Sequence, residues 1–461
     1  MSGKQQKTQL LLAFSSPIPG EARRAGRGGI EPLMASQASS GPAPVKPVME
    51  EVCEAGNLRK ALARVLKNRG GPGVDGMTVE ELPVYLKENW PRIREQLLGG
   101  TYQPQPVKRV EIPKPDGGTR KLGVPTVCDR FIQQAVLQVL QPRWDGGFSS
   151  GSYGFRPGRS AHQAVGQAQR YVAQGLVWVV DLDLEKFFDR VNHDRLMARV
   201  AVRVSDPRIL RLLRAFLAAG VLQSGLVSPT TEGTPQGGPL SPLLSNLVLD
   251  ELDKELECRG HRFVRYADDC NIYVGSLRAA QRVMRSVSKF LSVRLRLRVN
   301  EQKSAADLAR KRSFLGFSFT GGKLPKRRIA PKARERFKER VRDLTNRTRG
   351  VSLGRMLKEL GEYLRGWLGY FGYCETSSVL EGLGAWIRRR LRCFLWKQWK
   401  RGRRRFAELV KRGVGAGLAA RTAGSSHGPW RLSASPALSL ALPDALFASL
   451  GLPKMQVRSA A

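Results

Sequence analysis

The chain has 461 residues, a quarter of them charged, and its 78 Lys and Arg against 39 Asp and Glu leave a net charge of +39. Self-repulsion on that scale opposes compaction, and neither a small-molecule enzyme nor a structural protein needs it, so the expected partner is a polyanion, in the first place nucleic acid. No apolar run approaches the ~18 residues of a spanning helix, and six scattered Cys with four His and no Cys-x-x-Cys pair argue against a zinc ribbon and suit a reducing cytosol.

Residues 1–47 are rich in Gly, Ser, Pro, Ala and Gln without periodicity and read as a flexible tail. Leu10 to Phe14 is too short for a secretory signal, and Met34 or Met49 is an alternative start. Residues 48–100 read as helical, broken by Arg69-Gly70-Gly71-Pro72-Gly73-Val74-Asp75-Gly76. That loop either meets a phosphate through its N–H groups or simply connects two helices. Val107 to Ile112 pairs with Thr119 to Val124 as a hairpin across Pro115-Asp116-Gly117-Gly118. Lys114, Arg120 and Lys121 cluster on it, which suits either triphosphate capture, with Arg binding bidentately, or a solvated charged edge.

Val177-Trp178-Val179-Val180-Asp181-Leu182-Asp183-Leu184 reads as a buried strand ending in acid. Alternation puts Val177, Val179, Asp181 and Asp183 on one face. Acid at the end of a buried strand costs on the order of several kcal/mol unless something compensates it. Lys186 or Arg190 offers salt bridges; a metal shared with Asp268 explains more. Further on, Ser241 is an N-cap and Pro242 a first helical residue. Leu243, Leu244, Leu247, Val248, Leu252 and Leu256 form an apolar stripe to about Glu257, which places Gln236 and Gly237 on a tight loop ahead of a buried helix. His261 to Arg265 and Cys270 to Val274 are strand-like and flank Tyr266-Ala267-Asp268-Asp269. Two adjacent carboxylates at a hairpin tip repel each other unless a divalent cation sits on them. Past Gly322 the composition changes: residues 323–412 hold 27 Lys and Arg and 8 Asp and Glu, net +19, interleaved with Trp367, Tyr370, Phe371, Tyr373, Trp386, Phe394, Trp396 and Trp399. This suits a helical module with an aromatic core and a basic outer face.

Five blocks then carry a resemblance. Ile112-Pro113-Lys114-Pro115-Asp116-Gly117-Gly118-Thr119-Arg120-Lys121 comes first, followed by Tyr153-Gly154-Phe155-Arg156-Pro157-Gly158-Arg159-Ser160. Asp183-Leu184-Glu185-Lys186-Phe187-Phe188-Asp189, Thr234-Pro235-Gln236-Gly237-Gly238-Pro239-Leu240-Ser241-Pro242-Leu243-Leu244 and Tyr266-Ala267-Asp268-Asp269 complete the series. In this order and spacing they resemble the fingers and palm of the group II intron-encoded reverse transcriptase/maturase, from about Val48 nearly to the C-terminus. Arg365-Gly366-Trp367-Leu368-Gly369-Tyr370-Phe371 resembles the family's maturase-specific thumb, domain X. Arg401 to Arg405 and the tail through Trp430 and Leu452 resemble its DNA-binding segment.

The resemblance implies an α+β right-hand polymerase: a flexible tail at 1–47, an N-terminal extension of the fingers at 48–100, fingers and palm at 101–322, an α-helical thumb at 323–400 and a small basic DNA-binding segment at 401–461. It implies an RNA-directed DNA polymerase that also assists splicing and supports retrohoming by target-primed reverse transcription. Asp183, Asp268 and Asp269, with the Leu184 carbonyl, would hold two Mg²⁺ ions. Lys114, Arg120, Phe188, Gln236, Gly237 and Lys303 would contact the nucleotide, with Phe188 rejecting the 2′-hydroxyl, and Phe314-Leu315-Gly316-Phe317 resembles the primer-gripping hairpin. Nucleic-acid contacts are expected at Arg156, Arg159, Lys326, Arg327, Arg328, Arg388, Arg389, Arg390, Arg401, Arg403 and Arg404. The implied partners are intron RNA, an RNA template with DNA primer, a DNA target and dNTPs, with no membrane, as monomer or dimer in the bacterial cytoplasm or on the nucleoid. Only His427 follows His261 and no Cys follows Cys393, so no His-Asn-His nuclease is expected, as in the endonuclease-lacking bacterial class C. Two other readings stay open: a splicing factor with an idle polymerase, and a domesticated reverse transcriptase in repair or defence.

Overall fold

The computed structural model describes residues 48–113, 117–223, 226–228, 232–233, 237–346 and 349–457. Lys114, Gln236 and the tail expected at 1–47 lie outside these described residues. Helices Val48–Val52, Ala55–Asn68 and Leu82–Gly99 come first. The third buries Leu82, Leu86, Trp90, Ile93 and Leu97 at helical spacing and stops at Gly100 in the left-handed conformation that favours glycine. The glycine loop between the second and third packs on protein. Arg130 Nη2 donates to the Gly71 carbonyl at 2.6 Å, and a Cβ on Gly73 would lie 2.6 Å from the Thr126 Cα.

Strands β1 (Val107–Pro113) and β2 (Thr119–Val124) form the expected hairpin, with Ile112 opposite Arg120 and Glu111 opposite Lys121. The chain continues through helices Val127–Asp145 and Ala161–Ala173, strand β3 (Trp178–Leu182), helices His193–Ala201 and Pro207–Ala218, and strands β4 (Val221–Gln223) and β5 (Leu226–Ser228). β4 joins β1 in parallel and completes the fingers sheet, ordered β2-β1-β4-β5. Helix Ser241–Cys258 follows, then β6 (Arg262–Tyr266), β7 (Asp269–Val274), helix Leu277–Phe290 and β8 (Ala305–Leu308). The helix starts at Ser241 itself rather than being capped by it, because Gly238 to Leu240 already turn and the Gly238 carbonyl accepts the Ser241 N–H at 3.3 Å.

The palm sheet is antiparallel, ordered β6-β7-β3-β8. Period-two alternation divides its side chains. Val180, Leu182, Cys270, Ile272 and Val274 pack with helices Ser241–Cys258 and Leu277–Phe290. Val179, Val264 and Tyr273 pack with helix Ala161–Ala173 and the core of the thumb. Asp181 and Asp183, in step with Val179, belong to this second face.

The hairpin β9 (Phe317–Phe319) and β10 (Arg327–Ile329) leads into thumb helices Pro331–Leu344, Leu353–Phe371 and Ser377–Gln398. His162 locks the thumb to the palm: its ring stacks on Tyr373 at 4.6 Å and its Nε2 bonds the Tyr370 carbonyl at 2.8 Å. Helices Gly402–Lys411, Ala416–Ala423, Pro429–Leu432, Pro436–Ala441 and Asp444–Ser449 extend the same core. Leu438 and Phe447 have no exposed surface, and Arg388 pairs with Asp444 at 2.7 Å. The segment after 400 is therefore an apolar-cored continuation of the thumb. Its basic cluster ends at Arg412, and residues 413–457 carry only Arg421, Arg431 and Lys454.

Candidate active site at the palm hairpin

Segments more than eighty residues apart meet at one end of the palm sheet. β3 and β7 pair with Leu182 opposite Cys270, so one further step along both strands brings Asp183 opposite Asp269. β6 and β7 close with Tyr266 opposite Asp269, leaving Ala267 and Asp268 as the turn. A two-residue hairpin turn matches the twist of its strands through positive φ, and Ala267 provides it at +57°. A left-handed L-residue costs roughly 1–2 kcal/mol, so the surroundings must hold it. Gly154 lies so close that a Cβ there would sit 2.3 Å from the Ala267 nitrogen. Arg265, fully buried, donates to the Ala267 carbonyl at 2.9 Å. Burial works against the Arg265 charge, but the Asp253 carboxylate and its hydrogen bonds outweigh it and hold the guanidinium above its ordinary value.

Asp183 is fixed through its backbone. Its N–H donates to Ser304 Oγ at 3.0 Å, and its carbonyl accepts the Asn300 N–H at 2.8 Å. The Lys303 ammonium stands 3.9 Å from its carboxylate. The bridge between Leu184 and Val299 uses the Asp183 carbonyl and the Glu185 N–H, so it does not engage the Leu184 carbonyl. Asp181 is claimed by Arg312, which donates to its Oδ2 at 2.9 and 2.6 Å. Of the partners offered by sequence, Arg190 instead pairs with Glu185 at 3.6 Å.

Burial raises the Asp268 carboxyl above its ordinary value, the Asp183 charge adds to the rise, and Arg120 and Arg265 oppose it. Asp269 is pushed up to about 7, by desolvation first and then by Asp268, Asp181 and Asp183, with Lys303 opposing. A divalent cation removes this conflict, so the donor set fits one. Among the described residues no three acidic, His or Cys side chains are placed so that they could hold a metal ion by themselves. A Mg²⁺ site in general takes one or two carboxylates and fills its shell with water and substrate phosphates. Phe187 is buried in the core, whereas Phe188, its ring 5.3 Å away edge to face, is only half-buried. Gly237, at φ +141°, runs so close to β2 that a Cβ would lie 2.7 Å from the Gly123 carbonyl.

Comparison with known proteins agrees with this geometry. Residues 112–319 match the family described as reverse transcriptase (RNA-dependent DNA polymerase), and residues 334–413 match the group II intron maturase-specific domain. The chain belongs to the group II intron reverse transcriptase/maturase family. It is 41% identical over 209 residues to protein YkfC of Escherichia coli K12, covering 44% of this chain and 55% of YkfC. It is 37% identical over 190 residues to the group II intron-encoded protein LtrA of Lactococcus lactis, covering 41% of this chain and 32% of LtrA. The chain thus spans about half of one relative and a third of the other. A partial Cas6-RT-Cas1–Cas2 complex is similar at 26% identity and a TM-score of 0.35, over 54% of this chain and 43% of that one.

In this reverse transcriptase/maturase the basic residues singled out by sequence divide into two sets. Arg156 is a correction: its side chain is buried and donates to Asp145 Oδ1 and to the Ser149, Ser152 and Asp145 carbonyls, so it braces the loop beneath the turn. Arg327 stacks on Tyr373 at 3.9 Å, donates to the Tyr373 carbonyl and pairs with Glu375, which makes it part of the latch between palm and thumb. Arg388 pairs with Asp444, Arg389 lies 4.3 Å over Trp430, and Arg390 donates to Thr345 Oγ1 at 2.8 Å. These three guanidinium groups hold the thumb together. Arg328 donates to Ser318 Oγ at 3.3 Å, and Arg159 lies over Tyr153. Lys326, Arg401, Arg403 and Arg404 remain exposed. Sequence reasoning did not single out Arg265, Asp253, Asn246 or Arg312. Nothing in the spacing announces a partner 131 residues away, as with Arg312 and Asp181.

Proposed function

We propose that this chain is an RNA-directed DNA polymerase encoded by a group II intron, which also binds that intron's RNA to promote splicing and copies it at a DNA target by target-primed reverse transcription. The observation that carries the reading is the meeting of Asp183 with Asp268 and Asp269 at one end of the palm sheet, flanked by Lys303 and Arg120. Asp183, Asp268 and Asp269, with the Leu184 carbonyl, would hold two Mg²⁺ ions. Bound there, the metals would help deprotonate the primer 3′-hydroxyl and neutralise charge on the leaving pyrophosphate. Arg120 and Lys303 place positive charge where an incoming triphosphate needs it. Phe188 sets a bulky ring beside the sugar and favours dNTPs over rNTPs. The thumb, with Arg401, Arg403 and Arg404 exposed, offers phosphate contacts to a structured RNA.

The test is primer extension on poly(rA)/oligo(dT) with Mg²⁺ and dTTP. Purified protein should make cDNA, and absence of product would remove the polymerase reading. Asp268→Ala should abolish synthesis while binding to RNA transcribed from the sequence flanking the reading frame changes by less than about twofold, since one acid removed from a phosphate-binding protein does not weaken it. Parallel loss of both would make the acid structural.

A further inference from the structure

We propose that Arg265 is the positioning residue of the catalytic turn, acting through the Ala267 carbonyl with Asp253 and Asn246 as its supports; this deepens the polymerase reading and rests on it. The Arg265 guanidinium has five N–H donors, and the structure assigns each a partner. Nε and Nη2 reach the two Asp253 oxygens at 2.7 and 2.5 Å. Nη1 reaches Asn246 Oδ1 at 3.1 Å and the Ala267 carbonyl at 2.9 Å. Nη2 also reaches Ser152 Oγ at 2.8 Å.

Both members of the Arg265–Asp253 pair have 0% side-chain exposure. An ion pair so deep is a poor source of stability, because well-packed apolar residues of similar volume usually serve as well. What apolar residues cannot do is hold a carbonyl in place. The planar guanidinium fork can, and Lys, with a flexible stem, is no substitute. The held carbonyl belongs to Ala267, whose φ of +57° an L-residue adopts only under constraint. Asn246 closes the circuit by donating to the Gly154 carbonyl at 2.9 Å, and Gly154 is the residue whose backbone abuts the Ala267 nitrogen. The turn is thus gripped from two sides, and both grips are anchored on helix Ser241–Cys258. Releasing the Ala267 carbonyl frees the turn to relax, and Asp268, the next residue, moves with it.

The experiment compares wild type, Arg265→Lys and the double variant Arg265→Met with Asp253→Leu in steady-state dTTP incorporation on poly(rA)/oligo(dT). Affinity for the same primer–template and thermal unfolding are measured alongside. Displacement of a reacting group by an ångström costs about 100-fold in rate, so Arg265→Lys should lower kcat by about that factor. Its KM for dTTP and its primer–template affinity should stay within about threefold of wild type, and the Mg²⁺ concentration for half-maximal rate should rise. The double variant should regain the wild-type unfolding midpoint without regaining kcat; if it fails to fold, Arg265→Lys decides alone. Wild-type kcat in either variant would overturn the proposal, and so would a loss of kcat in Arg265→Lys matched by equal losses of primer–template affinity and stability. Inactive wild-type protein would instead refute the polymerase reading itself.

Discussion

Ala267 and Leu315 are non-glycine residues in the left-handed region, at φ +57° and +51°, each in a tight turn. Such strain persists only where neighbours over-determine it. For Leu315 the neighbour is the thumb: the Tyr370 hydroxyl donates to its carbonyl at 2.8 Å, and the Ala330 N–H donates to the Gly316 carbonyl at 2.9 Å. For Ala267 one neighbour is Gly154, and that contact can be tested by adding a single methyl. Overpacking a tight contact costs about 1–3 kcal/mol, and here the atoms that must yield are the backbone of the turn that carries Asp268. Gly154→Ala should remain folded, losing about that much stability in urea, and should lose most of its DNA synthesis; full activity would mean that the turn tolerates displacement. Phe188 offers a second test at the same scale. Phe187 fills the core, while Phe188, half-buried and packed against it, is the ring proposed to read a sugar. Phe188→Ala should raise the ratio of rNTP to dNTP incorporation by at least about tenfold, in line with removing a steric block of one or two kcal/mol. Unchanged sugar selectivity would assign both rings to packing.

Elements were legible where one physical rule set both their type and their position. Alternation in Trp178–Leu182 and the Pro115-Asp116-Gly117-Gly118 turn announced a strand and a hairpin; both formed, the hairpin with the expected pairing of its strands. The acids were legible because carboxylates at the ends of apolar strands need a reason to be there. The basic residues were less so. On a helix, successive residues point about 100° apart, so the run Arg388-Arg389-Arg390 cannot face one ligand. It reaches Asp444, Trp430 and Thr345 in turn. The elements after residue 400 were hidden for a related reason. Their short helices carry too few apolar residues to announce a core alone, and Leu438, Ala441 and Phe447 are buried as part of the core that the thumb helices share. Their contribution is measurable. Phe447→Ala empties a fully buried site and should cost about 3–5 kcal/mol. Urea unfolding should show that loss, while the KM for dTTP stays at the wild-type value, because Phe447 belongs to the thumb core and the proposed nucleotide site lies in the palm. A loss below about 1 kcal/mol would mean that the segment is only loosely docked.

For the molecule as a whole, the +39 charge is the least local feature and the hardest to reconcile with a compact fold. The structure resolves part of the tension. Thirty-nine Asp and Glu cannot balance 78 cations, yet several of the most basic stretches turn their guanidinium groups onto aromatic rings: Arg389 on Trp430, Arg405 on Trp396, Arg412 on Trp399 and Arg327 on Tyr373. Stacking of this kind is worth about 0.5–1 kcal/mol at exposed sites and more where water is excluded. It lets the thumb keep its cations close to one another without a matching set of acids. The cations left over, among them Arg401, Arg403 and Arg404, are the ones available to phosphates. Each phosphate contact releases counterions, so affinity for RNA should fall linearly with the logarithm of salt concentration, with a slope of about −0.7 for each contact to single strands and somewhat steeper for duplexes. A slope of about −5 or steeper is expected for the intact chain. Reversing charge at Arg403 and Arg404 together should flatten it by one to two units, since two exposed contacts are lost. Arg388→Gln and Arg390→Gln should instead weaken the fold while leaving the slope within about half a unit, because their guanidinium groups face the protein. The salt slope therefore separates cations that bind nucleic acid from cations that build the thumb, and equal slopes for both sets would contradict that division.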